Sequence, residues 1–63
     1  MIEIIHGQEA RMIRDAIAGN EPTRAKEAKV ILNNWIADAE TGALGFSAEA
    51  KKILGELLPD WLQ

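Results

Sequence analysis

Residues 22–41, PTRAKEAKVILNNWIADAET, decide how the rest of the chain is read. Ala25, Ala28, Leu32, Trp35 and Ala39 recur at steps of three and four, and Ile31 and Ile36 widen the stripe. That spacing places one apolar face along an α-helix and requires neighbours to cover it. Glu21 and Pro22 suit the first turn, where acid complements the helix dipole and proline's missing N–H costs nothing. Asn20 is the expected N-cap, and Gly42 marks the end of the helix. A helix over about 21–41 follows.

Upstream, Ala10, Met12, Ile13, Ala16 and Ile17 fit the helical period, and Arg11 and Asp15 are spaced as an i,i+4 ion pair. Gly19 is the expected left-handed cap of this first helix. Its beginning is open to two interpretations. Ile2, Ile4 and Ile5 are β-branched and could form a strand, but no later stretch reads as a partner for one. A helix running unbroken over about 2–18 puts Ile2 and Ile5 on the side of Met12 and Ile13. It carries Gly7 in its interior at a cost of about 1 kcal/mol relative to alanine. A kink or fresh start at Gly7 avoids that cost. The connection between the first two helices is very short, so they form a helical hairpin or a steep crossing.

Residues 41–46 read as a loop whose Leu44 and Phe46 plug the end of the bundle. Ser47 caps a third helix over about 47–58, with Glu49 in its first turn and Ala50, Ile53, Leu54, Leu57 and Leu58 as its apolar stripe. Pro59 stops it, and Trp61 turns back to seal the core. The expected architecture is all-α: one small three-helix domain over 1–63, a helical hairpin plus a third helix, completed by dimerisation.

Size and charge restrict the function. The chain has 63 residues, one His, no Cys and a formal net charge of −3. A core this small is near the lower limit of independent stability, and neither a disulfide nor a thiolate zinc site is available to staple it. A second copy is the expected remedy. No apolar run approaches the roughly 20 residues needed to cross a bilayer, and no basic segment with a following apolar run opens the chain. A cytoplasmic protein is expected. Its acidic balance argues against binding to nucleic acids or anionic membranes in general.

Catalysis needs a nucleophile or an acid–base pair in a pocket. One His, no Cys, no Tyr and one Ser already used as a cap make a non-enzyme the expectation, with no cofactor. Glu3 and His6 match the Glu-x-x-His spacing of di-iron bundles, with Glu9 one turn on. The core face of the central helix has no carboxylate to complete such a site, so no metal is expected. Trp35 and Trp61 fall within apolar spacing and suit the core better than a stacking platform.

Two surfaces remain. Arg11, Arg14, Arg24, Lys26 and Lys29 gather around the first turn, as in a helix-turn-helix DNA-binding regulator. The interspersed Glu21 and Glu27, and the lack of a base-reading run of Gln, Asn and Arg, weigh against that alternative. The other surface is the flank of the central helix. Val30 and Ala37 lie one heptad apart and more than a quarter turn from the packed stripe, with Asn33 and Asn34 beside them. Val30, Asn33, Asn34 and Ala37 are the expected partner-binding residues. The expected function is that of a regulator, adaptor or inhibitor that works by protein contact, most simply as a homodimer. Its size is common among the stand-alone proteins of phages and other mobile elements.

Overall fold

The computed structural model describes residues 2–63. It contains a strand β1 (Glu3–Ile5), helices α1 (Gly7–Ala18) and α2 (Pro22–Glu40), a strand β2 (Leu44–Phe46) and a helix α3 (Ala48–Leu54), followed by single 3-10 turns at Gly55–Leu57 and Asp60–Leu62. Three helices are present as expected. The all-α architecture is not, because β1 and β2 pair in parallel, with Glu3 opposite Leu44, Ile4 opposite Gly45 and Ile5 opposite Phe46. The α1–α2 hairpin is the crossover that parallel pairing demands.

The start of the chain is therefore strand, and the expected helix over 2–18 begins only at Gly7. His6 has an extended backbone, φ −90° and ψ 167°, and interrupts any helix from Ile2. The β-branched isoleucines favour the pleated conformation, and a partner for them exists within what read as a loop. Leu44, Gly45 and Phe46 alternate, with Leu44 and Phe46 buried. A Cβ on Gly45 would lie 3.3 Å from Ile4 Cδ1, so glycine gives Ile4 room to lie across the sheet. Backbone bonds extend the ladder at both ends: Glu3 N–H donates to Ala43 C=O at 3.2 Å and Ser47 N–H to Ile5 C=O at 3.0 Å. Ile5 points into the core, while Ile2 and Ile4 remain exposed on the outer face.

The core collects Ile5, Leu44 and Phe46 from the strands, Ala10 and Ile13 from α1, Ala28 and Leu32 from α2, and Ala50, Leu54 and Leu58 from the C-terminal segment. Small residues carry the helix contacts. Ala10 and Ala50 are fully buried, which lets α1 and α3 approach closely. Trp35 is half-buried against this cluster, its ring 6.4 Å from that of Phe46 in an edge-to-face arrangement.

Several local expectations are corrected. The residue before a proline is pushed out of the α region. Glu21, at φ −98° and ψ 107°, accordingly takes the N-cap position of α2 instead of Asn20. Gly19 is extended at φ −75° and ψ 176°, so the hairpin turns without a left-handed cap. Arg11 does not pair with Asp15: it lies 3.9 Å from Glu49 on the neighbouring α3, and Asp15 bonds Arg14 at 3.0 Å. Helix α3 stops at Leu54 instead of continuing to Leu58, because Gly55 adopts φ +43° and the chain tightens into a 3-10 turn. Leu57 is left exposed by that turn, and Leu58 enters the core from an extended backbone. Trp61 does not seal the core. It is 56% exposed, and Leu62 packs inward in its place.

The Ser47 cap forms as expected, its Oγ accepting the Ala50 N–H at 3.1 Å. Ser47→Ala is expected to lower stability by about 1 kcal/mol, read as an earlier midpoint in urea denaturation with an unchanged slope.

Candidate functional site

Helix α2 contacts α1 along one side and β2 along another, and its remaining surface faces solvent. At about 100° per residue, Ala28, Leu32 and Ala39 mark the packed direction, and Val30 lies nearly opposite. Val30, Asn33, Asn34 and Ala37, the residues expected from sequence to bind a partner, are all exposed and share this outer side. Among the described residues, neither asparagine side chain forms a hydrogen bond, so both amides are available.

The apolar part of this face is larger than sequence reasoning made it. Ile31, assigned to the packed stripe, is 43% exposed beside Val30, which is 53% exposed. Met12, assigned to the core side of α1, is 69% exposed. Met12 and Ile31 face one another across an open groove of about 570 Å³ between α1 and α2, whose floor includes Ala16 and Ala28 and whose rim includes Arg24 and Glu27. A shallower depression beyond it is lined by Lys26, Glu27, Val30 and Ile31 and continues the surface toward the outer side of α2. The signal for Met12 was present in the sequence. It lies about 100° from Ile13 around α1, away from the line of Ala10, Ile13 and Ile17.

The basic residues are all exposed but do not form a uniform patch. Arg14 is bonded to Asp15, Arg11 is beside Glu49, and Arg24 and Lys26 lie on α2 next to Glu27. Glu3 lies on β1, His6 precedes α1 and Glu9 occupies its first turn. Among the described residues, no group of three or more His, Cys, Asp or Glu side chains is placed to hold a metal ion, and no polar or charged residue is buried. No helix among them is long and apolar enough to cross a membrane.

Compared with known protein families, curated proteins and solved structures, the chain gives no significant match.

Proposed function

We propose that this chain is a small non-enzymatic regulator, adaptor or inhibitor of the cytoplasm that acts by presenting the outer face of α2 to protein, and that it self-associates in doing so. The observation carrying this is the contiguity of Val30, Ile31 and Met12 on one open surface of so small a fold. Single exposed apolar residues are ordinary, but adjoining ones bordered by polar side chains are what a contact surface requires. Asn33, Asn34 and Ala37 extend the same surface with short side chains, which permit close approach and supply directional hydrogen bonds.

Val30→Glu tests this. On an exposed helix position the substitution should change stability by only a few tenths of a kcal/mol, and helical circular dichroism should persist. Within an apolar contact the uncompensated carboxylate should abolish association. The variant is therefore expected to remain folded and to lose its dimer and its captured protein partner together. Unchanged assembly and unchanged capture would mean that the outer side of α2 is ordinary solvated surface.

A further inference from the structure

The charges of α2 run against its own dipole. A helix favours acidic groups in its first turn and basic groups in its last, and α2 has neither. Beyond the Glu21 cap, its first half carries Arg24, Lys26 and Lys29 against Glu27 alone, and the only charges in its second half are Asp38 and Glu40. Arg24 lies in the first turn and Asp38 in the last. Among the described residues, none of these six side chains has an ion-pair partner. In an isolated chain this order is mildly unfavourable. Against a second α2 running in the opposite direction it is complementary.

Helical phase places that complementarity on the open face. Arg24, Ile31 and Asp38 are spaced by seven residues and fall on one stripe; Thr23, Val30 and Ala37 fall on a second stripe about 100° round the helix, with Glu27 and Asn34 between the two. All six are exposed. A two-fold axis near Ile31 brings Arg24 opposite Asp38 of a second copy twice, once at each end. Near the axis Ile31 of each copy meets its counterpart on the Arg24 side of the contact and Val30 meets its counterpart on the other side, with Glu27 beside the amide of Asn34 between them. Parallel pairing would instead set Arg24 beside Arg24 and Asp38 beside Asp38.

Resting on the outer face of α2 as the contact surface proposed above, we infer that its occupant is a second copy of this chain, docked with the two α2 helices antiparallel about a two-fold axis near Ile31.

Arg24→Glu and Asp38→Arg test this directly. Each should weaken homodimerisation roughly tenfold, because two attractive pairs become two repulsive ones. Neither loss can come from a damaged helix: each variant places its new charge on the side the dipole favours, so the monomer should melt no lower than wild type. An equimolar mixture restores both pairs across the two-fold. Native mass spectrometry of that mixture should show the heterodimer well above its statistical share, and sedimentation equilibrium should return its affinity to near that of wild type.

A statistical mixture, or one that stays monomeric, overturns the antiparallel arrangement, even if Val30→Glu still dissolves the wild-type dimer. Wild type that is monomeric at every concentration overturns the second copy as occupant, while loss of a different captured protein on Val30→Glu would leave the contact face itself standing.

Discussion

Ile5→Ala is expected to leave the chain largely unfolded near room temperature. Ile5 is 1% exposed and is one of the two largest side chains wholly enclosed by the fold. Truncating such a residue removes its transfer free energy and leaves a cavity, together about 3–4 kcal/mol. Small domains have little more than this to lose. The loss is amplified by position. β1 is held by a three-residue ladder, and once Ile5 no longer anchors it the strand has little reason to stay paired with Leu44–Phe46. Ile4→Ala is the matched control. Ile4 lies on the same strand but on its exposed face, so its truncation should cost well under 1 kcal/mol. Thermal melts followed by circular dichroism decide the matter: equal midpoints for the two variants would place Ile5 outside the core.

The second large effect is expected at Phe46. It is 8% exposed and stands where β2, α2 and α3 converge. Phe46→Ala should cost about 3–5 kcal/mol, from the burial of the ring and the cavity its removal leaves. It also deprives Trp35 of its edge-to-face partner. Trp35→Ala should be the milder of the two, since Trp35 is only half-buried and part of its surface is already in water. From sequence, Trp35 is the largest side chain on the central stripe, and its truncation alone would be expected to cost about 3–5 kcal/mol. Urea denaturation of both variants checks the order. A Trp35 variant less stable than the Phe46 variant would restore the helical stripe as the main element of the core.

The helices were legible because their signals are local. α2 begins and ends within a residue of its expected limits, set by Pro22 and Gly42, and Ser47 caps α3 through its own side chain. The strands were not legible. Three residues give too little alternation to distinguish strand from loop, and what stabilises Ile5 is a partner far along the chain that contains a glycine. Val30 could be placed by its phase alone. The phase of Met12, about 100° from Ile13, places it outside in the same way. Ile31 could not be placed so, because it lies on the border of an apolar stripe, and whether a border residue is covered depends on how far the neighbouring helix extends. Leu57 was misplaced because periodicity was carried past Gly55, where the helix had ended; Trp61 was misplaced because the turn after Pro59 brings Leu62 inward in its stead.

The parallel pairing of β1 with β2 has a consequence for the order in which the chain folds. The two strands are separated by about forty residues of chain. Closing so long a loop costs entropy that only the finished pairing offsets, whereas the α1–α2 hairpin is built from local contacts and can close first. Until β2 docks, that hairpin holds Ala10, Ile13, Ala28 and Leu32 without their lid, and β1 offers unpaired edges to any neighbouring chain. Refolding from denaturant is therefore expected to lose molecules to aggregation at this stage, with a yield that falls as protein concentration rises.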